Sequence, residues 1–167
     1  MKNNIILIGM PGSGKSTLGV LLAKALGFSF VDTDLIISRR AGDNLQGILN
    51  SEGLDYFLAL EEEVGSTLDC EYTVVATGGS MALSKRAMEH LGELGTVVFI
   101  DVPLEEIERR VTNITTRGIA FRPHETLADV YAQRLPLYQK YADLTVGTGG
   151  CIEETVERIL SAVGKNS

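Results

Sequence analysis

A glycine-rich stretch near the start of the chain has the composition and spacing of a phosphate-binding loop. Residues 9–17 read Gly-Met-Pro-Gly-Ser-Gly-Lys-Ser-Thr and fit the pattern G-x-x-x-x-G-K-[ST]. Glycines such as Gly12 and Gly14 allow a tight turn with inward N–H groups, and Lys15 can reach the β- and γ-phosphates. The Ser16 hydroxyl can ligate Mg²⁺. We therefore expect a nucleoside triphosphate, bound by Gly12, Ser13, Gly14, Lys15, Ser16 and Thr17.

The segments on either side of this phosphate loop place it between a strand and a helix. Residues 5–8 are continuously apolar, and apolar residues recur at helical spacing from Leu18 to Leu26, with Gly27 as a stop signal. A helix N-terminus directs its dipole toward a bound anion. This context favours a phosphate site over an ordinary glycine-rich turn.

Strand and helix patterns alternate along the rest of the chain. Further strands are predicted at residues 28–31, 72–76, 96–100 and 144–146, with helices between them. This alternation predicts an α/β fold with a parallel sheet whose ligands bind beyond the carboxyl ends of the strands. Asp32, Asp34, Gly78 and Gly79 fall at those ends.

Length, composition and charge limit the kinds of partner. The 167 residues, of which 44% are hydrophobic and 22% charged, suit one domain spanning residues 1–167. A net charge of −7 argues against a nucleic-acid or anionic-membrane surface, and no apolar run approaches the roughly 20 residues of a membrane span. We expect a cytoplasmic monomer that acts on a small molecule. The two cysteines, Cys70 and Cys151, are expected to be free thiols.

The segment from residue 112 to residue 125 interrupts the alternating pattern. It has no clean period and contains Arg117, Gly118, Arg122 and Pro123. Such a segment is typical of a lid over an active site, and the alternative is a solvated surface loop.

A phosphate loop does not by itself define a reaction, but the order of the motifs is more specific. The chain has no Asn-Lys-x-Asp guanine-binding motif and is short for a motor protein, which favours a small kinase. Over nearly its whole length it resembles the shikimate kinases. The matching elements, in that family's order, are residues 9–17, 30–34, Gly53 with Phe57 and Glu61, 76–79, Arg117 and 134–138.

The resemblance implies a fold and a reaction. The fold is a three-layer P-loop kinase sandwich around a five-stranded parallel sheet in the order 2-3-1-4-5. The reaction uses ATP and Mg²⁺ to phosphorylate the 3-hydroxyl of shikimate, a step of aromatic amino-acid biosynthesis.

The resemblance also implies roles for single residues. Asp34 would hold the acceptor hydroxyl and take its proton, while Asp32 would support a metal ion ligated by Ser16. Taken without the family, the two aspartates could also be helix-start caps. Gly78 and Gly79 would bring backbone N–H groups to the substrate.

Three arginine positions match cationic sites of the family. Arg117, in the lid, corresponds to the arginine that reaches the transferring phosphate. Arg134 corresponds to the one that binds the substrate carboxylate, although in isolation it could be a surface cation of an amphipathic helix. Either Arg110 or Arg109 matches the residue that packs on adenine.

Several departures from the family pattern lie on the acceptor side. The family reads Gly-Glu-x-x-Phe-Arg-x-x-Glu where this chain has leucine at Leu54 and Leu58, and Ser80 replaces the third glycine of Gly-Gly-Gly. The two leucines lie four residues apart on one helix face, so they indicate either a reshaped pocket or a packing repair. The nucleotide side of the pattern is intact.

These departures leave more than one function open. Glu61 lies one turn after Leu58 and would lack the family's arginine partner, so it could favour an ammonium group while Arg134 takes a carboxylate. Homoserine would satisfy both and is the main alternative acceptor. A nucleotide-binding protein without catalysis is a further alternative, disfavoured because Lys15, Asp34 and Arg117 are all present.

Overall fold

A computed structural model describes residues 2–111, 122 and 124–165. Among these residues, five parallel strands form one sheet in the order β2-β3-β1-β4-β5, flanked by helices. The predicted fold class and strand order are therefore confirmed. The strands are β1 Ile5–Ile8, β2 Ser29–Asp32, β3 Thr73–Ala76, β4 Thr96–Asp101 and β5 Leu144–Gly147.

The helices follow the strands in the alternating order that the sequence predicts. They are α1 Lys15–Leu26, α2 Thr33–Ala41, α3 Leu45–Glu52, α4 Leu54–Thr67, α5 Lys85–Leu94, α6 Leu104–Arg110, α7 Leu127–Tyr141 and α8 Ile152–Lys165. A short 3₁₀ turn, Met81–Leu83, precedes α5. No helix in the described part of the chain is long and apolar enough to cross a membrane.

The register of the central strands brings the chemically important loops together. Leu7 of β1 pairs with Ala76 of β3, and the Thr77 N–H donates to the Leu7 carbonyl at 3.1 Å. Asp32 at the end of β2 pairs with the same Ala76. The phosphate loop after β1 therefore lies beside the turn after β3 and the start of α2, at one edge of the sheet.

Two apolar clusters surround this edge. The larger contains the whole of β1 and packs the sheet against its helices, and the central strands β1, β3 and β4 are the most deeply buried. The smaller joins α2, α3 and α4 through Ile37, Ile48, Phe57 and Val64. These three helices form the wall of the site opposite the phosphate loop.

The structure corrects the predicted position of Asp34. Asp34 was expected at the end of the second strand, but it is the second residue of α2 because the Asp32 side chain accepts the Asp34 N–H at 2.9 Å and starts the helix there. Of the predicted lid, residues 112–121 and 123 lie outside the described residues. Cys70 and Cys151 are free thiols, as predicted.

Candidate active site

The phosphate loop has the backbone conformation that its glycines predict. Gly12 and Gly14 have φ angles of +79° and +91°, in the left-handed region that favours glycine. A Cβ on Gly12 would also lie 2.7 Å from the Val111 side chain. The loop therefore packs closely against the end of α6 and leads into the start of α1, where free helix N–H groups can face an anion.

Lys15 is held inside this loop. Its side chain is 7% exposed, and Nζ donates to the carbonyls of Gly9 and Met10 at 2.8 Å each and to Ser13 Oγ at 3.3 Å. Burial lowers the pKa of Lys15 to about 8, against the opposing effect of the nearby Asp34 carboxylate. The ammonium is thus desolvated and poised to exchange loop carbonyls for phosphate oxygens.

Ser16 and Asp32 supply the oxygen atoms for a cation site. Ser16 Oγ donates to Asp32 Oδ2 at 2.8 Å, while Asp32 Oδ1 caps helix α2. Asp32 can therefore cap the helix and also support a metal ion, because each role uses a different carboxylate oxygen. A hydroxyl beside a carboxylate suits Mg²⁺, which takes few protein oxygens and completes its shell with water and phosphate.

Asp34 faces the same space from the first turn of α2. Burial raises its pKa to about 6, and the Asp32 charge adds to this, whereas Lys15 opposes it. A carboxylate with this pKa is ionised at neutral pH yet basic enough to accept a proton from a hydroxyl.

A cavity of about 390 Å³ connects these groups. Its walls come from the phosphate loop, α2, α3, α4, α7 and the turn after β3. Ten predicted site residues line it: Gly12, Gly14, Lys15, Ser16, Thr17, Asp34, Glu61, Gly78, Gly79 and Arg134. Residues that sequence reasoning did not assign to the site also line it: Pro11, Leu45, Phe57, Thr77 and Ser80.

The turn at residues 78–80 is held by several neighbouring elements. The Gly78 N–H donates to Thr33 Oγ1 at 3.1 Å, so in this conformation Gly78 serves the site by lacking a Cβ and not by offering its N–H. The Gly79 carbonyl accepts the Tyr138 hydroxyl at 2.5 Å. A Cβ on Gly79 would lie 2.5 Å from the Pro11 ring, so a glycine at this position lets the turn approach the phosphate loop closely.

Arg134 is buried in α7 and lines the cavity. Its exposed fraction is 3%, which excludes the alternative that it is a surface cation. A buried guanidinium at the wall of a polar cavity is suited to a carboxylate ligand, which it can bind through two parallel hydrogen bonds.

Glu61 has a partner that the sequence did not predict. Its Oε1 accepts a hydrogen bond from Ser80 Oγ at 2.6 Å, although leucine replaces the arginine expected at position 58. Burial raises the pKa of Glu61 to about 7, while the Ser80 hydrogen bond lowers it. Leu54 and Leu58 pack against the smaller apolar cluster and not into the cavity, which supports the packing interpretation of these two changes.

A second cavity of about 210 Å³ lies on the other side of the phosphate loop. Arg110 lines it together with Ser13, Gly14 and Thr17, and its Nη1 donates to the Gly12 carbonyl at 3.3 Å. Arg109, in contrast, has a side chain that is 76% exposed. Of the two arginines, the structure therefore places Arg110 beside the nucleotide loop. Arg117 lies outside the described residues.

The fold and the site together define a class of enzyme. A parallel 2-3-1-4-5 sheet with a phosphate loop after its central strand, and a basic carboxylate across a cavity from the loop lysine, define a P-loop phosphotransferase.

Comparisons with known proteins identify the family within this class. The shikimate kinase family model matches residues 11–164. A shikimate kinase of Clostridium botulinum is 34% identical over 167 residues, covering 99% of this chain and all of that protein. The chain belongs to the shikimate kinase family, whose members transfer a phosphoryl group to a hydroxyl.

Solved structures agree with this assignment. A structure described as shikimate kinase from Acinetobacter baumannii in complex with shikimate has a TM-score of 0.92 and 31% identity, covering 100% of this chain and 96% of that one. The shikimate kinase of Aquifex aeolicus has a TM-score of 0.83 and 34% identity, covering 98% of this chain and 97% of the other.

Proposed function

We propose that this chain transfers the γ-phosphoryl group of ATP to the 3-hydroxyl of shikimate. The proposal rests on one observation, which is that Lys15, Asp34 and Arg134 line the same cavity beside the phosphate loop. A cyclic hydroxy acid needs a cation for its carboxylate and a base for its hydroxyl. The cavity offers both, on separate elements.

In this reaction the residues at the two ends of the cavity have different roles. Arg134 binds the acceptor carboxylate and so directs the ring hydroxyl toward Asp34. Asp34 accepts the hydroxyl proton as the acceptor oxygen bonds to the γ-phosphorus and the bond from phosphorus to the ADP oxygen breaks. Lys15 neutralises phosphate charge throughout.

The cation site fits the same scheme. Ser16 and Asp32 would hold Mg²⁺, directly and through its water shell respectively. A bound Mg²⁺ would offset negative charge on the nucleotide phosphates. The family match and the hydroxyl–carboxylate pair of Ser16 and Asp32 support the use of ATP with Mg²⁺.

The acceptor can be tested directly with an ATP-coupled assay over shikimate, homoserine and gluconate. We expect turnover with shikimate and little with the others, and phosphorus NMR of the product should show a phosphate ester on the 3-oxygen. Efficient turnover with homoserine and not with shikimate would contradict the proposal. Failure of every acceptor, together with tight ATP binding, would favour the nucleotide-binding protein without catalysis.

Arg110 offers a prediction for the nucleotide end. We propose that it packs on the adenine ring in the second cavity, so Arg110→Ala is expected to raise the KM for ATP roughly tenfold, the size of a partly desolvated cation–π contact. Arg109→Ala is the matched control, since the Arg109 side chain is exposed, and it should leave the KM for ATP unchanged. Equal effects of the two substitutions would remove the adenine role from Arg110.

A further inference from the structure

The hydrogen bond between Ser80 and Glu61 joins helix α4 to the turn that closes the acceptor cavity. Ser80 Oγ lies 2.6 Å from Glu61 Oε1, and the two residues are 4% and 2% exposed. A hydrogen bond of this length between a hydroxyl and a buried carboxylate is a strong one. It is therefore a fixed feature of the cavity wall.

The second oxygen of Glu61 lies against the same turn. A Cβ at Gly78 would lie 2.5 Å from Glu61 Oε2 and 2.6 Å from Asp34 Oδ1, so both carboxylates abut the Gly78 backbone. Within the described part of the chain, Oε2 has no hydrogen-bond partner. Ser80 thus provides the hydrogen bond that fixes the Glu61 carboxylate in its position beside Asp34.

Position 58 offers no cation to Glu61 in this chain. Residues three apart on a helix face the same side, so a cation at position 58 could pair with Glu61. Leu58 instead packs against the apolar cluster between α2, α3 and α4 and offers no donor. Where the resemblance has an arginine at 58 and a glycine at 80, this chain has leucine and a hydroxyl donor.

We propose that Ser80 and Glu61 form a positioning pair that holds the turn at residues 78–80 for acceptor binding, in place of a pair between Glu61 and a cation at position 58. The inference rests on the proposed function only for its choice of acceptor. Thr33 and Tyr138 hold the same turn through the Gly78 N–H and the Gly79 carbonyl. The pair adds α4 to these anchors.

The first test removes the hydroxyl. Ser80→Ala is expected to lower kcat/KM for shikimate about tenfold or more, since it leaves a buried carboxylate without its donor, while the KM for ATP stays within about twofold. The groups facing Glu61 are Ser80, Asp34, Arg134 and Lys15. Because the Ser80 hydrogen bond lowers the pKa of Glu61, its loss should move the acid limb of the kcat/KM profile to higher pH.

The second test introduces a cation at position 58. Leu58→Arg in the Ser80→Ala background is expected to recover most of the lost kcat/KM and to return the acid limb toward lower pH. Glu61→Gln keeps an oxygen for Ser80 but cannot titrate, so Ser80→Ala should no longer shift the acid limb in that background. This second variant keeps the proposal testable if Leu58→Arg fails to fold.

Ser84→Ala is the matched control. Ser84 Oγ donates to Glu62 Oε2 at 2.5 Å, which joins α4 to the start of α5 outside the cavity, and it also caps α5. Its loss should lower Tm by a few degrees without changing kcat, the KM for shikimate or the pH profile.

The outcomes separate this inference from the proposed function. If Ser80→Ala lowers Tm as Ser84→Ala does but leaves kcat/KM and the pH profile unchanged, the pair is merely structural and the proposal fails. It fails equally if Leu58→Arg folds but does not recover the activity of Ser80→Ala. If the wild type does not use shikimate, the proposed function fails, and the same cycle is then measured with the acceptor that is active or, without one, as coupling in Tm.

Discussion

Replacing Lys15 with alanine is expected to lower kcat by about 10²-fold or more while the fold is retained. Lys15 is the cation of the phosphate loop, and preorganised charges at a transferring group contribute effects of this size. Among the residues that the structure describes, its Nζ bonds to groups of the loop itself, Gly9, Met10 and Ser13, so the sheet does not depend on it. Coupled assays and circular dichroism on the same preparations would measure the two effects.

A pH dependence accompanies this prediction. Because burial lowers the pKa of Lys15 to about 8, the free enzyme loses this positive charge as pH rises through that value. The kcat/KM of the wild type for ATP should therefore fall above about pH 8, and Lys15→Ala should lack this alkaline limb. Lys24→Ala, an exposed lysine on the same helix, is the control and should keep it. An unchanged kcat for Lys15→Ala would remove the phosphate loop from the mechanism.

The parts of the site that depend on local sequence could be predicted. The phosphate loop is encoded by glycines that tolerate positive φ and by a lysine at a fixed spacing, and both act within a few residues. The family resemblance implies the strand order, whereas the alternation of strands and helices predicts a parallel sheet but not the order of its strands. Asp34 lines the expected cavity even though it lies in the first turn of α2 and not at the end of a strand.

The parts that depend on contacts between distant segments could not be predicted. Ser80 and Glu61 meet across the gap between the turn after β3 and helix α4, 19 residues apart in the chain. Tyr138 reaches the Gly79 carbonyl from 59 residues away. No periodicity encodes such pairs. The only signal for Ser80 was its departure from the glycine of the family pattern.

The choice between Arg109 and Arg110 likewise depends on packing that the sequence does not reveal. Adjacent helix residues point about 100° apart, so only one of the two can face the phosphate loop. Which one does so depends on how α6 packs, and Ile107, fully buried in the larger cluster, fixes that rotation. The sequence limits the adenine-side arginine to Arg109 or Arg110, and the packing of α6 places Arg110 beside the phosphate loop.

Asp34→Asn is expected to lower kcat by about 10²-fold or more and, at the same time, to stabilise the folded protein at neutral pH. Asparagine can hold the acceptor hydroxyl but cannot take its proton, and a positioned base contributes an effect of this size. An effect on ATP affinity alone would instead assign Asp34 to the metal site. Asp69→Asn, at an exposed aspartate, is the control for both measurements.

The stability effect of Asp34→Asn has a definite sign. Burial raises the pKa of Asp34 from 3.8 to about 6, so the folded state favours the protonated carboxyl. Below about pH 4 the carboxyl is protonated in both states and the variant should match the wild type. As pH rises through about 6, the folded wild type must carry a desolvated charge, and the variant should become more stable, by about 2 °C or more in Tm at pH 8. A Tm difference that is largest at pH 4 and vanishes at pH 8 would show that the carboxylate stabilises the fold, and the role of Asp34 as a buried, functionally strained base would then be wrong.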